Sequence, residues 1–299
     1  MAQDIYQAIT DKIVAQIEAG AAAWRMPWHS RHGASELTLP RNVTGRAYRG
    51  VNAPVLWVAA EASGYDSPVW GTYKQWKERG CQVRKGEKSA MVVFWKSVSV
   101  ERVSDDGETE PEDRLIAKAY FVFNAAQVDG FDESKITKPE PAPEDLTEDQ
   151  RIASAEEFFA ATGSIVRHGG NRAFYTPGGD FIQMPQFGQF ADAQSYYSVL
   201  AHEHTHWTGA KSRLNRDLQG RFGAEAYACE ELIAELGAAY LCATLGLANE
   251  PREDHAAYIA SWLKVLKGNK RAIFTAASKA QAAADYLQSL QVSETRAAA

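Results

Sequence analysis

Apolar residues at Ile5, Ile9, Ile13, Val14 and Ile17 recur at steps of three and four, so the pattern predicts an amphipathic helix over residues 4–19. Gly20 supplies its stop. From 24 to 52 the period is lost among Pro, Gly and Arg, which reads as a looped stretch, and a short helix is predicted over 53–62. β-Branched and aromatic residues over 82–100 predict two strands joined by a turn at 84–88, with a further strand at 118–124. The run SDDGETEPED at 104–113 predicts a solvated hairpin tip or loop. Residues 132–150 are acidic, hold three prolines and have almost no large apolar side chain, the composition of an interdomain linker. Beyond them a helix is predicted near 147–162 and short strands around 164–167, 172–175 and 180–184. Helices follow from 193, and the tail past 292 reads as a frayed terminus. The expectation is an α+β protein of two domains, 1–131 and 151–299.

Composition supports that division. A chain of 299 residues is about twice the commonest domain size, and 45% hydrophobic with 23% charged residues is ordinary globular material. Cys81, Cys229 and Cys242 form no CxxC pair, so neither a disulfide framework nor a thiolate metal site is indicated and a reducing compartment is the simplest setting. The first residues do not read as a signal peptide and no apolar run reaches membrane length, so a soluble cytoplasmic protein is expected. The net charge of −6 hides an asymmetry: residues 1–100 carry 13 basic against 8 acidic side chains, so the acidic excess lies entirely in the rest.

The chemistry concentrates in YYSVLAHEHTHWTG. On a helix His202 and His206 lie one above the other, so their imidazoles can share one metal ion, while Glu203 can reach an attacking water without being a ligand. His204 faces another side and is read as a non-ligand. Zinc in a catalytic site takes three protein ligands and keeps a position open. Downstream, Glu231 and Glu235 are also four apart, one to bind metal and one to hold a histidine from behind. This resembles the thermolysin-like gluzincins, where Glu-x-x-x-Asp follows the first metal helix. That match implies Glu231 as the third ligand and Glu235 as the residue orienting His202. Zinc is the expected ion, with another divalent metal such as manganese as the alternative. Amide hydrolysis with Glu203 as base is the default reaction. Tyr175, Tyr227, His168 and His255 are all able to stabilise an oxyanion, and the sequence does not choose among them.

Six of the eight tryptophans, Trp24, Trp28, Trp57, Trp70, Trp76 and Trp95, fall in the basic first hundred residues. Single-stranded nucleic acid is bound by basic grooves with aromatic faces on which bases stack. The candidates are Arg41, Arg46, Arg49, Lys74, Lys77, Arg84, Lys85 and Lys88 with Tyr48 and Trp76, set against the ordinary role of Trp as core.

The segments DIYQAITDKIVAQIEAG, LPRNVTGRAYRGVN, VWGTYKQWKERGCQVRKGEK and YYSVLAHEHTHWTGAKSRLNRD resemble the ArdC family of antirestriction proteins. The resemblance covers most of the chain. It implies an N-terminal single-stranded-DNA-binding domain, a C-terminal zincin-like metallopeptidase domain, and protection of incoming plasmid DNA from host restriction. A DNA-occluding binding protein with a structural zinc, and a DNA-dependent protease similar to the SprT-like repair peptidases, are the competing readings. A host protein would be the substrate of either protease.

Overall fold

The computed structural model describes residues 4–20, 26, 29, 37–103, 109–132, 148–216, 224–249 and 255–291. In the first domain the Ile9, Ile13 and Ile17 stripe makes α1 (Ile5–Gly20) and is buried along its length. The predicted loop region holds β1 (Arg41–Asn42), and α2 (Asn52–Ser63) ends at Gly64, whose left-handed φ of 68° suits glycine. Next come β2 (Val69–Gly71), α3 (Tyr73–Glu78), β3 (Gln82–Val83), β4 (Ala90–Val103), β5 (Thr109–Asn124) and β6 (Val128–Asp129). Thr72 and Gln75 start α3 with a reciprocal capping box.

A four-stranded sheet has the order β1-β2-β5-β4, and β3 pairs with β6 in a separate ladder. The two strands expected within 82–100 both form with the turn between them, but they do not pair with each other. The acidic loop is shorter than expected. Strand β5 already begins at Thr109 and pairs in register from Val103↔Thr109 to Ala90↔Val122, while 104–108 lie outside the described residues. Asn52 docks α2 on the edge of β4: its amide donates to the Val93 carbonyl and accepts from the Val93 amide, both at 2.7 Å.

The linker expected at 132–150 lies almost wholly outside the described residues, and α4 (Glu148–Ala161) is under way by its end. The second domain continues with β7 (Ile165–His168), β8 (Phe174–Thr176) and β9 (Phe181–Met184), a three-stranded sheet with β9 in the middle. Its helical body is α5 (Ala193–Thr208), α6 (Ala224–Leu245), α7 (His255–Gly268) and α8 (Ala272–Ser289). Helix α6 is buried on nearly every side, as its apolar and small residues require when α5, α7 and α8 surround it.

The two domains share one continuous apolar core. Ile9, Ile13 and Ile17 belong to the same buried cluster as Ile259, Ile273 and Leu287, α1 lies against α7, and the Trp57 and Tyr240 rings are 5.9 Å apart. Among the described residues no helix is long and apolar enough to cross a membrane.

Candidate metal centre

Asp192 caps α5 by accepting from the Ser195 amide at 2.7 Å, and the helix then runs through the core to Thr208. One turn separates His202 from His206, which sets their Nε2 atoms 3.1 Å apart. From α6, Glu231 turns one carboxylate oxygen to each: Oε2 is 3.5 Å from His202 Nε2 and Oε1 is 3.5 Å from His206 Nε2. Tetrahedral bonds of about 2.1 Å put neighbouring donors about 3.4 Å apart, so these three side chains match the span of one ion. They are the one group of potential ligands of this kind among the described residues.

Charge favours a cation there. Glu203, Glu230, Glu231 and Glu235 are all buried, with Arg216 as the ordered cation beside them. Burial works against the Glu230 and Glu231 anions. Hydrogen bonds from His206 and Arg216 outweigh it for Glu230, those from His202 and His206 for Glu231, and both carboxyls are held below the usual carboxylate range. Burial likewise disfavours the His206 cation, but hydrogen bonds to Glu230 and Glu231 and the charges of Glu231 and Glu203 push its pKa up to about 10. The cluster therefore gathers positive charge, and a divalent ion fits its donor set and its electrostatics.

Behind this cluster the two histidines are treated differently. His206 Nδ1 faces Glu230 at 3.2 Å, and Arg216 donates to both oxygens of that carboxylate, with Nε at 3.1 Å from one and Nη2 at 3.0 Å from the other. Glu235, expected to orient His202, stands 3.7 Å from its Nδ1, beyond hydrogen-bond range, while its other oxygen is 2.7 Å from His29 Nε2. His202 Nδ1 is buried without a hydrogen-bond partner.

His204 is engaged elsewhere: its Nδ1 donates to the Leu200 carbonyl at 2.9 Å, and its Nε2 is 2.8 Å from Ser164 Oγ. Of the four oxyanion candidates, Tyr227 is the one beside the cluster, with its hydroxyl near Glu231 and 3.3 Å from that of Tyr258. Tyr175 is engaged with Asp180 and Arg213, and His168 with the Tyr196 hydroxyl. The side chain of His255 lies outside those described. Sequence reading missed His29, Arg216 and Glu230, whose partners are 206, 14 and 24 residues away and leave no local pattern.

The basic candidates divide between two surfaces. Arg46 and Arg49 line a cleft of about 790 Å³ between the β4–β5 hairpin and α8, with Phe94 and Trp95 on its wall. Arg84 and Lys85 line a shallower one with Tyr73 and Phe123. Several are paired, Arg49 with Asp285 at 2.5 Å, Lys74 with Glu78 at 3.7 Å and Arg84 with Glu87 at 3.2 Å. Lys77 and Lys88 are exposed and Arg41 is half-buried on β1. Trp76 and Tyr48 must be withdrawn as stacking platforms. Trp76 is fully buried, packed edge-on against Phe131 with its Nε1 donating to the Phe123 carbonyl, and Tyr48 is 7% exposed in the core. Among the described residues of the first domain the exposed large rings are Tyr73, Phe94, Trp95, Tyr120 and Phe121.

Comparison with known proteins agrees with the two-part layout. Residues 3–123 match the model for the N-terminal domain of the anti-restriction factor ArdC, and 153–279 match that for a zincin-like metallopeptidase. A protein of Sinorhizobium fredii is 52% identical over 293 residues, covering 96% of this chain and 92% of its own. An Escherichia coli DNA primase, TraC, is 37% identical over 94% of this chain, which spans 27% of the primase. Two crystal structures of the antirestriction protein ArdC from plasmid R388 superpose along the whole chain. The metal-free form has a TM-score of 0.79 at 45% identity, covering 97% of this chain and 98% of that one. The Mn(II)-bound form has a TM-score of 0.76 at 44% identity, covering 98% and 100%. With a zincin-like second domain behind an ArdC-type first domain, and relatives matching end to end, the chain belongs to the ArdC family of antirestriction proteins.

Proposed function

We propose that this chain is an antirestriction protein that binds single-stranded DNA through its N-terminal domain and hydrolyses peptide bonds at a divalent metal centre held by His202, His206 and Glu231. The hydrolytic half is carried by the convergence of those three side chains to 3.1–3.5 Å beside the buried Glu203. Zinc suits a centre of two imidazoles and one carboxylate, and manganese is the ion in the solved relative. When bound, such an ion polarises a carbonyl and makes water more acidic. Glu203 accepts the proton of the attacking water and returns it to the leaving amine. Tyr227 donates its hydroxyl hydrogen bond to the oxyanion, Glu230 and Arg216 hold His206, and Glu231 stays ionised.

The DNA half is supported by the basic surplus of the first hundred residues and by rings that remain exposed among cations. Phe94 meets Tyr120 edge-on at 5.3 Å, the Lys118 ammonium lies 5.5 Å from the Tyr120 ring centre, and Arg46 lines the same cleft as Phe94 and Trp95. Unpaired bases would stack there while the cations follow the phosphates.

Glu203→Gln tests the reading. It should retain the metal and the DNA, lose cleavage of protein substrates, and fail to protect a plasmid entering a restricting host. Full protection by the inactive protein would mean that covering the DNA suffices, and cleavage only when single strands are added would mark a DNA-dependent protease.

A further inference from the structure

We propose that His29, from the N-terminal domain, is a positioning residue of the metal centre. It fixes Glu235 behind His202, so that the centre is complete only with the N-terminal domain docked. The proposal rests on the metal-site reading above.

His29 is 3% exposed and reaches Glu235 across 206 positions of sequence. Its Nδ1 accepts from the Met26 amide at 3.1 Å, which leaves the ring proton on Nε2. That proton is donated to Glu235 Oε1 at 2.7 Å. With one oxygen so held, the other faces His202 Nδ1 at 3.7 Å.

The His202 nitrogen is buried and unpartnered, and a buried N–H left in that state is rare in folded proteins. A shift of about 0.7 Å would bring Glu235 Oε2 to hydrogen-bond distance. Donation from Nδ1 to a carboxylate fixes the tautomer that turns the Nε2 lone pair toward a metal, and it raises the basicity of that lone pair. The chain of contacts therefore runs from the Met26 amide through His29 and Glu235 to His202.

The second histidine needs nothing from the N-terminal domain. His206 is backed by Glu230 and Arg216, both from the C-terminal half. This asymmetry gives His29 its consequence. Any event that moves the segment bearing Met26 and His29 changes metal affinity through His202 alone, and by reciprocity the metal steadies the docked N-terminal domain.

The test compares zinc affinity, by competition with a chromophoric chelator, and melting of the metal-free protein for wild type, His29→Ala, His29→Gln and His29→Phe. Gln carries an amide N–H that can replace Nε2–H, whereas Phe fills the space and donates nothing. Zinc affinity should fall about 10–100-fold in Ala and Phe, the usual effect of removing such support, and largely return in Gln. Should His29→Ala fail to fold, Phe must lose the same affinity. Wild-type affinity in Phe, or equal losses in Phe and Gln, would overturn the proposal and leave the metal site standing. A wild-type protein that takes up no zinc would instead overturn the metal-site reading itself, and this inference with it.

Discussion

Gly237 lies on α6 where it crosses α5, and a methyl group there tests how the helix contact sets the metal centre. A Cβ at Gly237 would stand 2.5 Å from Thr205 Oγ1 and 3.0 Å from Thr205 Cβ, with Cγ2 nearer still. Ordinary contact begins at 3.4 Å, so the helices must part by roughly 1 Å or Thr205 must rotate. Rotation is costly because the Thr205 hydroxyl donates to the Ala201 carbonyl at 2.9 Å in a fully buried position. Overpacking of this kind costs about 1–3 kcal/mol, and replacing a helical glycine returns about 1 kcal/mol. The net loss for Gly237→Ala is therefore roughly 0–2 kcal/mol, a fall in Tm of at most about 8 °C for a protein of this size. Metal binding should suffer more. His202 and His206 ride on α5 and Glu231 on α6, and a separation of roughly 1 Å exceeds the ±0.2 Å that ligand distances tolerate. Zinc titration should give an affinity about tenfold or more below wild type, partly restored by adding Thr205→Ala. Unchanged affinity and Tm in Gly237→Ala would refute the claim that this crossing fixes the site.

Other consequences are as direct. Burial pushes the pKa of His204 down to about 4 from its ordinary 6.5, slightly opposed by its bond to Leu200, so the unfolded chain binds that proton more tightly. The His204 contribution to stability should be intact above pH 6.5 and be lost by up to about 3 kcal/mol toward pH 4, and His204→Gln should flatten that part of a denaturation series. Asn52→Ala leaves the Val93 amide and carbonyl without their side-chain partner and should cost about 2–4 kcal/mol in urea unfolding. Phe94→Ala with Trp95→Ala should weaken single-stranded DNA binding by about 1–3 kcal/mol per stacked base, with folding retained because both rings are about half exposed. Equal binding would remove Phe94 and Trp95 as the DNA platform.

What was legible in the sequence is what repeats locally. Ile9, Ile13 and Ile17 at four-residue steps give α1, and the same step puts His202 above His206 and Glu231 near Glu235. Strands β1, β3 and β6 have two residues each, too few for any period. The first half of β5 is polar and acidic, held by backbone pairing with β4 that leaves no apolar signature. Trp76 between Lys74 and Lys77 has the local look of an exposed platform. Its burial follows from Val43, Phe123 and Phe131, and from Gly71, where a Cβ would collide with the indole. The contacts behind His202 and His206 were invisible for the same reason: His29, Arg216 and Glu230 meet their partners only through the tertiary fold.

The most direct test of the central claim is the metal content per chain of protein saturated with zinc and then freed of unbound ion. Wild type and Glu203→Gln should each hold one ion, while His202→Ala, His206→Ala and Glu231→Ala should hold far less under the same conditions. Equal metal in all five proteins, or none in wild type, would contradict a centre built from His202, His206 and Glu231.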